Sequence, residues 1–208
     1  MDKIDARSHA EITALLRRLS PRKRARLIEA MRTIEDLFGG KQDHAGARKA
    51  PYRLRRHRPG DMGWIIHRHG ALYAEEYGWD ASFEPFVADV AAGFIRKYDP
   101  KCERCWMAEL DGETVGSVLL VRKSKTVAQL RLLLVEPKAR GIGLGARLVM
   151  ECERFARQAG YRKIMLWTNS VLHAARHIYE QAGYRLVREE PHHSFGQDLV
   201  GQYWEMKL

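Results

Sequence analysis

A glycine-rich turn between a strand and a helix is the feature that most restricts the fold of this chain. Gly141, Gly143 and Gly145 follow a leucine-rich strand and open a long helical segment. Glycine has no Cβ, so consecutive backbone N–H groups can approach a ligand closely. The positive end of the helix dipole points to the same place. The turn therefore predicts a pyrophosphate cradle, to which the Arg140 guanidinium adds charge-assisted hydrogen bonds.

The context of the turn separates it from two other phosphate-binding motifs. Strands over 106–110 and 114–121 flank Asp111-Gly112, a strong hairpin signal. The turn thus follows antiparallel strands and not the first strand of a dinucleotide-binding βαβ unit. No Lys-Ser or Lys-Thr pair follows the last glycine, so it is not a P-loop. The remaining alternative is a turn selected only for close helix–strand packing.

Hydrophobic periodicity and turn residues after position 51 predict an α/β or α+β domain with a mixed sheet. The closing strands are separated by a predicted loop that contains His192. The predicted strands are 52–57, 106–110, 114–121, 128–137, 163–168, 184–189 and 201–208, and the predicted helices are one starting at Pro59, 83–98, one from the glycine turn to about Gly160, and 170–183.

The first forty residues form a separate basic arm, followed by a linker over 41–51. Residues 1–60 carry a net charge of +9, out of +10 for all 208 residues. A solvated helical face is the simpler interpretation, although such an arm can also bind nucleic acid through phosphate contacts. The apolar stripe from Leu27 to Phe38 has no partner within the arm, which favours packing on the main domain or dimerisation.

Composition excludes several classes of protein. No apolar run approaches the ~20 residues that span a bilayer, so we expect no membrane insertion. Three cysteines are too few for a disulfide framework, which favours a cytoplasmic protein. Cys102 and Cys105 have the spacing of half a zinc site, but no second pair is evident, and we expect no bound metal.

Two motifs resemble the GNAT superfamily of N-acetyltransferases. Arg140-x-x-Gly143-x-Gly145 follows a strand that ends in Val135-x-Pro137, as in the acyl-CoA signature of that family. A second block resembles the family's Asn…Ala-x-x-x-Tyr-x-x-x-Gly-aromatic segment, through Asn169, Ala175, Tyr179, Gly183 and Tyr184. The resemblance covers residues 52–208. It implies the acyl-CoA N-acyltransferase fold and transfer of an acetyl group from acetyl-CoA, without a metal, to a primary amine in a ternary complex.

The resemblance also implies roles for individual residues. Tyr179 would protonate the leaving thiolate, and Asn169 would bond the pantetheine. His173 and Arg176 are predicted to approach the adenosine or its phosphates. The backbone of Leu133, Leu134 and Val135 would pair with the pantetheine arm, Val135 N–H would polarise the thioester carbonyl, and Gly141, Ile142, Gly143, Leu144, Gly145 and Ala146 would hold the pyrophosphate.

Several residues could act as the general base that accepts the amine proton. In relatives that resemble protein-lysine acetyltransferases, a Glu lies where this chain has Gln129, which is not a useful base. Glu76 and Glu84 rank first because they flank the Tyr77–Asp80 segment, in the region where this superfamily builds its acceptor pocket. The other candidates are Glu136, His67, His69 and a chain of water molecules. The aromatic residues Tyr77, Trp79 and Phe83 would line that pocket or pack in the core.

The arm has a resemblance of its own. LLRRLSPRKRARLIEAMRTIEDLFG resembles the C-terminal dimerisation helices of MarR-type regulators, which occur fused to GNAT domains. This resemblance implies a homodimer. It also leaves an alternative function, in which the chain senses acyl-CoA and its arm binds DNA or a regulator subunit.

Overall fold

The structure is a computed structural model that describes residues 51–208. The predicted arm, its MarR-like helices, the dimer contact and nearly all of the linker lie outside these residues. The strands are β1 (Tyr52–Arg56), β2 (Arg104–Leu110), β3 (Glu113–Arg122), β4 (Val127–Val135), β5 (Lys163–Asn169), β6 (Arg185–Ser194) and β7 (Gln197–Lys207), and the helices are α1 (Asp61–Tyr77), α2 (Phe83–Lys97), α3 (Leu144–Gln158) and α4 (His173–Gln181), with one 3₁₀ turn at Pro137–Ala139.

The seven strands form one mixed sheet, which confirms the predicted fold class. Their order is β1-β2-β3-β4-β5-β7-β6, and every neighbouring pair is antiparallel except β4 and β5. Asp111 and Gly112 turn the β2–β3 hairpin with φ angles of 52° and 83°. These left-handed values are what a two-residue hairpin turn requires, so the Asp-Gly prediction is confirmed.

The central strands are buried on both faces. In β2, Trp106 and Ala108 face a core covered by α3, whereas Cys105 and Met107 face a second core covered by α1 and α2. This alternation explains why the strands read as nearly continuous apolar runs. The cores hold the glycine turn and the α1–α2 loop in place on opposite sides of the same sheet.

β4 contains a bulge and then separates from β5. Leu132 has a φ of 50°, and two β4 residues lie opposite one β3 residue between Leu119–Arg131 and Ser117–Leu134. The parallel pairing of β4 with β5 covers only 127–130 against 163–166. Beyond that point β5 pairs with β7 alone, so the ends of β4 and β5 leave an opening in the sheet.

The closing strands differ from the prediction. β6 and β7 form one long hairpin joined by a two-residue turn, and His192 lies within β6 and not in a loop. Phe195 and Gly196 form the turn with φ angles of 58° and 75°. β6 is an edge strand whose side chains are mostly exposed, so it lacks the apolar alternation that would have indicated a strand.

No helix within residues 51–208 is both long enough and apolar enough to cross a membrane.

Packing of α3 on the sheet predicts a matched pair of stability effects. Leu148 is fully buried and Met150 is about half exposed on the same helix. We expect Leu148→Ala to lower the free energy of unfolding by ~2–5 kcal/mol through lost burial and a residual cavity. Met150→Ala should change it by less than ~0.5 kcal/mol. Urea denaturation of both variants checks this, and similar losses in the two would contradict the assigned core.

Candidate active site

The first of two adjoining cavities lies beside the glycine turn. It has a volume of about 270 Å³ and is bounded by α1, the end of β4, the glycine turn and α4. Eight of the thirteen residues predicted to contact acetyl-CoA line it. They are Leu133, Leu134, Val135, Arg140, Gly141, Gly143, Gly145 and Ala146.

The start of α3 supplies free hydrogen-bond donors to this cavity. Gly143 is the N-cap residue, with a left-handed φ of 76°, and no side chain caps the helix. The first turn of a helix has backbone N–H groups without intrahelical partners. A Cβ on Gly145 would lie 2.6 Å from Ile178 Cδ1 on α4. Glycine at this position therefore lets α3 and α4 approach each other at the cavity.

Arg140 is held at the mouth of the cavity by α1. Its Nη2 forms an ion pair with Glu76 Oε1 at 2.7 Å, and its Nε donates to the Val135 carbonyl oxygen at 3.3 Å. Both ionic side chains are partly exposed. The pair therefore orients the guanidinium at small energetic cost and leaves it free to exchange partners.

The second cavity lies at the opening between β4 and β5. It has a volume of about 70 Å³ and shares Tyr73, Leu133, Leu172 and Ala175 with the first. Much of its wall is aromatic. The aromatic residues include Tyr73, Trp79, Phe83, Phe86 and Trp167.

The β6–β7 turn supports these aromatic walls. The Phe195 ring stacks on Trp79, with centroids 4.8 Å apart, and packs edge-on against Phe83 at the same distance. Asp80 N–H donates to the Phe195 carbonyl oxygen at 3.0 Å, and Gln197 Nε2 donates to the Tyr77 carbonyl oxygen at 2.7 Å. The hairpin therefore fixes the α1–α2 loop against the sheet.

His69 is a buried polar group in the second cavity. Its side chain is 1% exposed, and Nδ1 lies 2.8 Å from the Ile65 carbonyl oxygen. A carbonyl oxygen only accepts, so this contact fixes the proton on Nδ1 and leaves a lone pair on Nε2. Nε2 is buried and has no hydrogen-bond partner among the described residues. Burial lowers the His69 pKa to about 4, so the ring is neutral at physiological pH.

Tyr179 and Asn169 also line the second cavity. Tyr179 is 4% exposed, and burial raises its pKa, so the phenol keeps its proton at neutral pH. Asn169 Oδ1 lies 2.9 Å from His192 Nε2, and His192 Nδ1 lies 2.9 Å from Ser194 Oγ. β6 thus orients the Asn169 amide at the end of β5.

The carboxylates ranked first as bases do not line the second cavity. Glu76 lines the first cavity, where Arg140 pairs with it. Glu84 is exposed and packs over Gly70, outside both sets of lining residues.

The remaining candidates occupy other environments. Glu136 is buried and held by Arg68 through two hydrogen bonds, and His67 is exposed. His173 is exposed, and Arg176 Nη1 donates to the Ser170 carbonyl oxygen. Neither of these two lines the cavities, and the same holds for Ile142 and Leu144.

Sequence reasoning did not single out several residues of the site. Tyr73 lies in both cavities, whereas Arg131, Phe86 and Trp167 lie in the second. A charged residue inside the leucine-rich β4 was the available signal for Arg131. Tyr73, Phe86 and Trp167 gave no such signal, because aromatic residues in these elements look like ordinary core.

Within residues 51–208, no group of three or more His, Cys, Asp or Glu side chains is arranged to hold a metal ion. Cys105 is fully buried on β2, and Cys102 donates to Asp99.

The mixed sheet and the glycine turn agree with the acyl-CoA N-acyltransferase fold that the two motifs imply. The model of the acetyltransferase (GNAT) family matches residues 66–184, and the chain belongs to this family. An acetyltransferase from Streptococcus agalactiae has a TM-score of 0.63 at 19% identity, covering 76% of this chain and 99% of its own. The protein yncA of Salmonella typhimurium, solved with its cofactor acetyl-CoA, has a TM-score of 0.63 at 15% identity, covering 76% and 94%. These likenesses confirm the predicted fold.

Curated relatives match over part of their length. N-acetylaspartate synthetase of Danio rerio is 31% identical over 111 residues, which are 53% of this chain and 38% of that protein. Probable N-acetyltransferase camello of Xenopus tropicalis is 32% identical over 126 residues, which are 54% of this chain and 56% of that protein. The chain thus spans about half the length of these relatives or less.

The environment of His69 predicts a pH-dependent stability. The unfolded imidazole binds a proton below pH ~6.5, whereas the folded one does so only below pH about 4. Stability should therefore fall as the pH drops from 6.5 to 4, by ~3 kcal/mol from this residue. Comparison of unfolding free energies of the wild type and His69→Gln across this range isolates the effect. Parallel pH profiles would contradict a buried, neutral His69.

Proposed function

We propose that the chain is an N-acetyltransferase that moves an acetyl group from acetyl-CoA to a primary amine. The observation that carries this proposal is the meeting of two cavities at the opening between β4 and β5. One has unpaired helix donors for a pyrophosphate, and the other is an aromatic enclosure with buried polar groups. The family and the names of its relatives as N-acetyltransferases support the same reaction.

In this proposal the first cavity binds acetyl-CoA. Backbone N–H groups at the start of α3, from Gly141 to Ala146, hold the pyrophosphate, and Arg140 adds a positive charge at the mouth. The backbone of Leu133–Val135 borders the opening because β5 no longer pairs with it. Its free polar groups are therefore available to the pantetheine amides, together with the side chain of Asn169.

The proposed reaction is a direct attack in a ternary complex. Acetyl-CoA supplies the activated acetyl group. The neutral amine nitrogen forms a bond to the carbonyl carbon, and the carbon–sulfur bond breaks. Val135 N–H polarises the carbonyl oxygen, and Tyr179 gives its phenol proton to the departing sulfur. The amine loses one proton to water, and a solvent proton restores Tyr179.

His69 is the proposed positioning group for the amine. Its fixed Nε2 lone pair accepts a hydrogen bond from the amine N–H, which directs the nitrogen lone pair away from His69. A pKa of about 4 makes His69 a weak base, so it orients the amine without retaining its proton. Glu76 and Glu84 do not line this cavity, and the proposal gives them no proton-transfer role.

The glycine turn provides a direct test of acetyl-CoA binding. We expect Gly143→Trp to abolish saturable binding in a calorimetric titration, because the indole would fill the space in front of the α3 donors. Gly112→Trp is the matched control. Both glycines have left-handed φ angles, 76° and 83°, and neither Cβ would meet an atom within 4 Å, but Gly112 lies at the β2–β3 turn. Equal binding by both variants would refute the proposed cradle.

Tyr179 gives a second test, directed at the chemical step. We expect Tyr179→Phe to lower kcat by ~10²-fold while the Kd for acetyl-CoA stays within about twofold, because only the proton to sulfur is lost. Tyr184→Phe is the control. Its hydroxyl is buried and has no partner among the described residues, and its ring centroid is 5.9 Å from that of Tyr179. Thiol release with an amine panel measures kcat, and equal losses in the two variants would exclude Tyr179 as the acid.

A further inference from the structure

Arg131 brings a positive charge into the wall of the second cavity. It is the β4 residue immediately before the bulge at Leu132. Its side chain lines the cavity, and the guanidinium carbon lies 5.7 Å from the centroid of the Phe86 ring. The bulge changes the direction of the strand at the opening of the sheet, where Arg131 faces the proposed acceptor space.

Among residues 51–208, no carboxylate pairs with Arg131. It takes part in none of the ion pairs or side-chain hydrogen bonds of this region, and no Asp or Glu lines the second cavity. Arg55 and Arg68, by contrast, are held by Asp61 and Glu136. Burial lowers the Arg131 pKa. Partial removal of a guanidinium from water without an anion costs free energy, which a bound anion would recover.

The same cavity also contains a hydrogen-bond acceptor that has no donor. His69 Nε2 is buried in this cavity and has no hydrogen-bond partner among the described residues. The cavity thus offers one cation, this lone pair and the unpartnered indole N–H of Trp79, a second donor for an anionic group. A ligand that satisfies them has an anionic group and an N–H donor in one small molecule, because the cavity has a volume of only about 70 Å³.

We propose that the acceptor is a primary amine that also carries a carboxylate, of the α-amino acid class, and that Arg131 binds its carboxylate. This inference rests on the proposed function. The guanidinium donates two parallel hydrogen bonds to the carboxylate oxygens, while His69 Nε2 accepts from the amine. Arg131 is the only Arg or Lys among the described residues that line this cavity, and its single positive charge matches the single negative charge of a carboxylate.

The aromatic walls make this recognition selective. Trp79, Phe83 and Phe86 line the same cavity as Arg131, and the Phe86 ring lies beside the guanidinium, so apolar surface reduces the contact of a bound ligand with water. An ion pair in such a low-dielectric space is stronger than one at the surface. An amine without a carboxylate would leave the guanidinium desolvated and unpaired. We therefore expect the enzyme to disfavour amines that lack a carboxylate, because they leave this cost unpaid in addition to losing the ion pair.

The experiment compares amino acids with their carboxamides on the wild-type full-length chain. Glycine, L-alanine, L-leucine and L-phenylalanine are each paired with the corresponding amide, and kcat/KM is measured by thiol release from acetyl-CoA. At least one acid should exceed its amide by about 10- to 100-fold, as expected for a desolvated charge-assisted hydrogen bond. A carboxamide lowers the amine pKa and so leaves more neutral amine, hence a preference for the acid must come from binding.

Variants of Arg131 test whether this residue causes the preference for the acid over the amide. Arg131→Gln should abolish the difference between acid and amide, and Arg131→Lys should keep part of it. Arg104→Gln is the matched control. Arg104 also lies over an aromatic ring, 4.1 Å from the Phe155 centroid, but on β2 and outside both cavities. It should keep the full preference, and melting temperatures verify that each variant is folded.

A binding measurement separates failure of this inference from failure of the proposed function. Calorimetry with CoA present should show tighter binding of the preferred acid than of its amide, whether or not turnover is fast. Equal binding and equal turnover of acids and amides, or full preference retained in Arg131→Gln, would overturn the role of Arg131 and leave the acetyltransferase proposal intact. Absence of acetyl-CoA binding would overturn both.

Discussion

The separation of β4 from β5 is the constraint on which the site depends. Parallel pairing ends at Leu130 and Leu166, because the bulge at Leu132 redirects one strand while β7 continues to hold the other. Backbone groups that a closed sheet would satisfy internally remain free at this opening. They are tolerated there because the opening is a cavity accessible from outside, and both candidate binding cavities meet at it.

The two cavities have different electrostatic characters. The first is built from backbone dipoles and a partly exposed Arg140–Glu76 ion pair, which suits a flexible, highly charged nucleotide tail. The second is lined largely by aromatic rings, and its polar groups include the buried His69 ring, fixed by the Ile65 carbonyl oxygen, and the partly buried Arg131, which has no ion-pair partner among the described residues. The first can therefore bind its ligand by general anion attraction, whereas the second selects by matching donors and acceptors.

The fold and most of the lining of the first cavity were predictable from the sequence, whereas the lining of the second cavity was not. The glycine spacing and the Asp111-Gly112 turn act through local backbone conformation, so they can be read directly from the chain. The bulge at Leu132 left no such signal. Glu84 was a reasonable candidate by position in the sequence, but it packs over Gly70 and lies outside the cavities. His69 was one of six candidates for the general base, and only the structure shows that its side chain is buried.

The sequence by itself determined the order of strands and helices, the glycine turn and the family to which the chain belongs, because these depend on local conformation and on the spacing of a few residue types. Only the tertiary structure decided which polar side chains share the second cavity. His69, Arg131 and Asn169 come from α1, β4 and β5, and their environments are set by burial and missing partners. The desolvation of a side chain and its hydrogen-bond or ion-pair partners depend on residues that are distant in the sequence, so no local sequence pattern encodes them.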